Sequence, residues 1–227
     1  MLPRPRPLAG TAFPYVALLF DSTTIEVFKP KGHFDEAKSL WDGKNAMYGF
    51  KKEVAVMAQE PHFALFVQPK ADGSTHDYSI FKSTSSSYSR YLHKTPQELH
   101  DCTGDNDKRW AMLGDNGYQG PDSDTPTVRR IFVPRATAAT DITLQNDLKK
   151  LRVPVECFFG RLKHLWQMCH TVYRFAHEHF DADIDICVYL TNEHIRGSKL
   201  VLDDEKSFLA HQVSHKEKVE QEAEKRK

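Results

Sequence analysis

Cysteine is scarce in this chain: there are four, Cys102, Cys157, Cys169 and Cys187, and no two of them form a C-x-x-C pair. A zinc knuckle and a thioredoxin-type redox motif are therefore unsupported, and four cysteines in 227 residues do not make a disulfide scaffold. Reduced, intracellular thiols are the default reading. No stretch approaches the roughly eighteen apolar residues that a membrane span needs. The opening MLPRPRPLAGTAFPYVALLF has two arginines and then an apolar run, but Pro14 interrupts it and no small-residue cleavage site follows, which argues against a signal peptide. Phosphate loops of the G-x-x-x-x-G-K-[ST] or G-x-G-x-x-G type are missing, as are H-E-x-x-H and any repeat of fixed period. Net charge is missing too: 31 Lys+Arg face 31 Asp+Glu.

What remains is an ordinary globular composition, 40% hydrophobic and 27% charged, in a length that suits one domain with a small appendage. Residues 1–14 are Pro/Arg-rich and read as a disordered leader, 15–200 as the folded domain, and 201–227 as a charged tail. Tyr15–Phe20 is a continuous apolar run ending at Asp21, the pattern of a buried strand. Residues 30–47 read as a loop. Lys52–Ala58 and Phe63–Gln68 flank Gln59-Glu60-Pro61-His62 and read as a hairpin. Asp77 is a candidate N-cap for a helix through Ile80 and Phe81. The Ser-rich stretch 83–109 reads as a loop with a short helix after Thr95. Trp110–Leu113 and Arg130–Val133 are further short strands. A three- and four-residue apolar spacing predicts a helix from Asp141 to about Met168, interrupted or kinked at Pro154, and Ile184–Ile195 predicts a last core helix. The alternation indicates an α/β domain with a mixed sheet.

Three carboxylates stand out by position. Asp21 closes the first strand, Asp115 follows the Trp110–Leu113 strand in a Gly-Asp-Asn-Gly-Tyr turn, and Glu156 lies on the long helix. Arg152, Glu156 and Lys163 share one helical face, so the carboxylate is flanked by two cations. Strand ends open into crevices in α/β sheets, and an all-oxygen set there suits Mg²⁺ or Mn²⁺. The residues alone leave a second reading open, in which the aspartates are turn residues and Glu156 forms a surface ion pair.

Five blocks, LLFDSTTIEV, GSTHDYSIF, WAMLGDNGY, VECFFGRLKHLW and CVYLTNEHI, resemble in this order the DDE superfamily endonuclease domain, closest to the PIF/Harbinger-type transposases and their domesticated relatives. The likeness runs from about residue 15 to 196. It implies an RNase H-like fold with a mixed five-stranded sheet flanked by helices. It also implies catalysis by Asp21, Asp115 and Glu156, which would hold two Mg²⁺ or Mn²⁺ ions, and DNA as substrate. Arg152, Glu156 and Lys163 resemble the last three members of the Tyr/Arg/Glu/Lys signature of related insertion-sequence transposases, with Lys149 where the tyrosine would stand. With Arg161, Arg152 and Lys163 are then the phosphate-contacting cations. Asp77 resembles the second-block aspartate and is an auxiliary of the metal site, one of its ligands, or a helix cap. The branch works with a separate Myb-like DNA-binding protein, which implies such a partner and nuclear residence. A homo-oligomer is a further expectation, and a membrane is not.

Departures from the pattern are Asp21-Ser22-Thr23 in place of Asp-Gly-Thr, and Pro154 two residues before Glu156. Full-length relatives also carry a helical DNA-binding region ahead of this domain, where about fourteen residues stand here. These departures motivate an alternative: a catalytically inactive, domesticated or truncated protein that serves as a DNA- or protein-binding scaffold. The histidines around Glu178, His170, His177 and His179, read as surface residues, and Trp41, Trp110 and Trp166 as core anchors. Between Val128 and Arg174, nine Lys/Arg face only Asp141, Asp147 and Glu156. Neutrality is thus an average over a basic segment, which provides the local positive potential that phosphate binding needs, and an acidic remainder.

Overall fold

The computed structural model describes residues 2–32, 34–100, 108–134 and 141–200. The charged tail expected over 201–227 lies outside the described residues, as does Cys102. Seven strands form one sheet in the order β2-β3-β1-β6-β7, with β4 and β5 both paired to β3. The strands are β1 (Val16–Glu26), β2 (Trp41–Asp42), β3 (Met47–Met57), β4 (Ala64–Val67), β5 (Ala71–Asp72), β6 (Ala111–Gly114) and β7 (Arg129–Phe132). The helices are α1 (Phe34–Leu40), α2 (Asp77–Thr84), α3 (Ser86–Leu92), α4 (Pro96–His100), α5 (Ile142–Leu165), α6 (Gln167–His170) and α7 (Phe180–Gly197). The domain is therefore mixed α/β, and among the described residues its sheet has five strands along its main path plus β4 and β5 beside β3. Two of them, β2 and β5, are only two residues long, too short to leave a sequence pattern.

The chain divides into two compact units. The first holds the chain up to Asp21, Glu53–Gln68 and His76–Val155. Here β1 begins with five consecutive buried residues, Val16–Phe20, as a strand covered on both faces requires. It pairs in parallel with β6 (Leu18 with Met112, Leu19 with Leu113), and β6 pairs in parallel with β7 (Met112 with Arg130, Leu113 with Ile131). The β3–β4 hairpin is antiparallel, as expected, and turns through a cis Glu60–Pro61 bond. Its core gathers Leu18 and Phe20 from β1, Ala55 from β3, Phe81 from α2, Tyr88 and Leu92 from α3, and Trp110 and Met112 around β6. Gly114 matters to this packing, because a β-carbon there would sit 2.6 Å from the Phe20 ring. Tyr78 and Lys82 of α2 both reach Asp124, at 2.7 and 2.9 Å, which fastens α2 to the loop between β6 and β7.

The second unit holds Ser22–Lys52, Pro69–Thr75 and the chain from Glu156. Antiparallel pairs join Trp41 to Tyr48 and Phe50 to Asp72. Lys52, 1% exposed, points its ammonium at Asp181 (2.7 Å) and Asp185 (2.9 Å) in the first turns of α7. Phe50, Tyr173 and Phe180 form an aromatic cluster, and Trp166 donates to Thr191 at 2.9 Å. Phe158, Leu162, Ile184 and Ile195 are buried, as the helical periodicity requires.

Several local expectations need correcting. Residues 30–47 contain α1 and β2 rather than a plain loop, and the serine run enters α3. Of the two arrangements expected around Pro154, the structure has the single helix, α5, with Pro154 in its interior. The cap of α2 is His76, whose Nδ1 accepts from the Tyr78 amide at 3.3 Å. His76 is extended (ψ 139°), so helical geometry begins at Asp77, which leaves that carboxylate to another role. Trp110 is a core residue, whereas Trp41 and Trp166 are half-buried. His170, His177 and His179 are exposed, and Cys157, Cys169 and Cys187 are buried free thiols.

Candidate active site

Asp115 directly follows β6, whereas Asp21, expected to close the first strand, lies inside β1, which runs on to Glu26 through pairings the apolar run does not record; both aspartates belong to the first unit. The parallel β1–β6 pairing runs to Leu19 and Leu113, two residues before Asp21 and Asp115 on their respective chains. Asp115 is held by its own turn, where Oδ1 accepts the Gly117 amide at 2.7 Å and caps the 3₁₀ turn Asn116–Tyr118. The turn-residue reading of Asp115 is thus correct locally. Asp77 arrives from the start of α2. A β-carbon on Gly117 would lie 3.0 Å from Asp115 Oδ1 and 3.2 Å from Asp77 Oδ2, so the absence of a side chain there leaves a cradle between two carboxylates.

A fourth carboxylate joins these without standing out in the sequence. Glu53, on β3, is fully buried. Its Oε1 accepts from the Tyr88 hydroxyl at 2.6 Å and from the Thr84 hydroxyl at 3.1 Å, while Oε2 is buried without a hydrogen-bond partner. Burial above all, aided by the charges of Asp77 and Asp21 and opposed by the two hydroxyls, pushes its carboxyl up to about 7. Those three acids of one unit therefore feel one another's charge. The only available signal was a glutamate within the Lys-Lys-Glu start of a β-rich run, which reads as solvated.

The cation on Asp21 is Arg152. Its Nη2 donates to Asp21 Oδ2 at 2.7 Å, with side chains 12% and 23% exposed. Glu156 follows one turn later on α5, half-buried, and belongs to the second unit. In that unit Arg161 donates to the Ser198 carbonyl at 3.1 Å and lies 3.0 Å from His194 Nδ1. Lys163 is half-buried, and its ammonium is lowered by burial, an effect opposed by the Cys169 thiol. Among the described residues, no group of three or more His, Cys, Asp or Glu side chains is close enough to hold a metal ion.

The sequence model of the DDE superfamily endonucleases matches residues 20–192, most of the chain. The chain belongs to the DDE superfamily endonuclease family. No curated protein and no solved structure matches it. Membership in the DDE superfamily supports a nuclease or transposase function with DNA as the substrate, and such nucleases generally use divalent metals. The oxygen donors are of the type such ions take, although among the described residues no three of them gather. Asp77 and Asp115 offer hard carboxylate oxygens to one cradle, and Glu53 keeps one buried oxygen unpartnered in electrostatic reach of Asp21 and Asp77. No described helix of this DDE domain is long and apolar enough to cross a membrane.

Proposed function

We propose that the chain is the catalytic domain of a metal-dependent DNA endonuclease or transposase, with Asp21, Asp115 and Glu156 as catalytic carboxylates and metal ligands. Asp77 serves beside Asp115 as an auxiliary. The observation that supports this reading is the parallel β1–β6 pairing, which runs to Leu19 and Leu113, two residues short of Asp21 and Asp115. Bound Mg²⁺ or Mn²⁺ supplies polarisation of an attacking water or 3′-hydroxyl and stabilises the leaving oxygen of a phosphodiester. The protein's share is positional: the Gly117 amide orients Asp115, and the clamp of Tyr78 and Lys82 on Asp124 steadies the helix that presents Asp77. Arg152, Arg161 and Lys163 contact DNA phosphates. An RNase H-like fold is part of the same proposal, supported by a central β1 with β6 and β7 parallel to it on one side and the β3 hairpin on the other. So are a place in the PIF/Harbinger-type branch, a separate Myb-like DNA-binding partner, a homo-oligomer and nuclear residence.

The test is nicking of supercoiled DNA with Mg²⁺ or Mn²⁺. Cleavage should require the metal and vanish in Asp115→Ala. Metal-dependent cleavage that persists in that variant removes the reading. A second reading, a scaffold that binds DNA or protein without cutting, is favoured by Pro154 inside α5, two residues before Glu156, where proline withholds a backbone donor from the helix. It predicts DNA binding by the wild type with no nicking under any metal.

A further inference from the structure

Asp21 stands among acids. The charges of Asp21 and Asp77 both act on the buried Glu53 of the same unit. Carboxylates gathered in one unit need a compensating cation, and the side chain that meets Asp21 Oδ2 is the Arg152 guanidinium at 2.7 Å. That contact is largely withdrawn from water, with Arg152 only 12% exposed, so it is not the loose surface pair that salt dissolves. Arg152 comes from α5, and 131 positions separate it from Asp21. The pair therefore exists by virtue of the tertiary fold.

A divalent ion on Asp21 and a guanidinium on the same carboxylate are two cations competing for one anion, and at such separations they repel strongly in a partly dry site. A guanidinium released from a carboxylate keeps a planar fork of donors that matches phosphate oxygens equally well. We propose that Arg152 is a built-in counter-ion that holds Asp21 before metal binding and is exchanged for the divalent ion, which frees its guanidinium for a DNA phosphate. This rests on the assignment of Asp21 as a metal ligand. It adds a coupling that the assignment does not contain: metal and DNA phosphate favour each other's binding through one arginine. Such coupling is reciprocal by thermodynamic necessity.

The experiment is Mn²⁺ binding to the full chain without DNA, followed by the electron-paramagnetic signal of free Mn²⁺, in wild type, Arg152→Gln and Asp21→Asn. Exchange predicts that Arg152→Gln binds Mn²⁺ about five-fold tighter or more, the lower range of ordinary coupling between sites. It also predicts that Mn²⁺ enhances DNA binding in wild type and not in Arg152→Gln. Equal or weaker Mn²⁺ binding in Arg152→Gln, with binding lost in Asp21→Asn, overturns the exchange and leaves Asp21 a metal ligand, with Arg152 merely orienting it. No Mn²⁺ binding in any of the three overturns both. Should Arg152→Gln fail to fold, the Arg152 Nε–H resonance of the wild type, assigned through Arg152→Lys, serves instead. It should move on Mg²⁺ addition, and an unmoved resonance at saturating Mg²⁺ overturns the exchange.

Discussion

Asp77 Oδ2 and Asp115 Oδ1 flank the same small space: a β-carbon on Gly117 would stand 3.2 Å from one and 3.0 Å from the other. Neither residue is near the other in sequence. The clamp of α2 on the loop after β6 brings them together, and a glycine keeps the space between them open.

Gly117→Ala should therefore damage the site more than the fold. The added methyl forces one carboxylate to retreat by a few tenths of an ångström. Overpacking of this kind costs about 1 kcal/mol at the mild end, a melting shift of about 2–4 °C for a chain of this size. Metal-dependent nicking should fall far more than that loss explains, and parallel melting and nicking assays check it.

Asp115→Asn and Asp115→Ala should separate the two duties of that residue. Asparagine keeps an oxygen to accept the Gly117 amide and so preserves the cap, while alanine loses it at about 1 kcal/mol. Both variants should be inactive in nicking, yet only Asp115→Ala should melt lower. Activity surviving in Asp115→Asn would show that the carboxylate charge is not needed.

Glu53 makes stability depend on pH in an uncommon direction. Its carboxyl is raised from 4.5 to about 7 in the folded state, so the folded protein holds this proton more tightly than the unfolded chain. Below about pH 4.5 both states are protonated and the contribution is fully present. From there to about pH 7 it is lost as the unfolded chain ionises first, a total of order 3 kcal/mol. Glu53→Gln should abolish that slope while Tyr88 and Thr84 keep an acceptor. Urea unfolding at pH 5 and pH 7.5 measures the difference, and parallel behaviour of the two proteins would contradict it.

Arg130→Met should leave stability unchanged or raise it. The Arg130 side chain is fully buried against the rings of Tyr78, Phe81 and Phe132, and its Nε and Nη1 lack hydrogen-bond partners. Its ion-pair partner Asp122 is 97% exposed and returns to water at little cost. A buried cation so incompletely satisfied stabilises little over an apolar side chain of similar volume. A loss above about 2 kcal/mol by denaturant unfolding would show that the guanidinium is worth more than its contacts suggest.

Elements whose pattern is local were legible beforehand. The apolar runs of β1 and β6, the hairpin around Pro61, and the apolar spacing of α5 and α7 all follow from burial of one face or both, which period and composition record. Elements held by distant partners were not. α1 and β2 lie where the composition is polar, and β2 exists only through its pairing with Trp41's and Asp42's neighbours on β3, Tyr48 and Met47. The buried Lys51, Lys52 and Glu53 look like a solvated charge run, yet Lys52 is satisfied by Asp181, 129 positions away.

The same division holds at the candidate site. The sequence by itself carried the family, in five ordered blocks between about residues 15 and 196 and in the family match over residues 20–192, and named Asp21, Asp115, Glu156, Asp77 and Arg152 as the residues to watch. Only the tertiary structure decided which of them meet. It put Arg152 on Asp21, handed the cap of α2 to His76, drew Asp77 to the Gly117 cradle and added Glu53. The physical reason is range. Periodicity and capping chemistry act over a few residues and are written in the order of the chain, whereas charge pairing and burial depend on which segments the fold brings within a few ångströms.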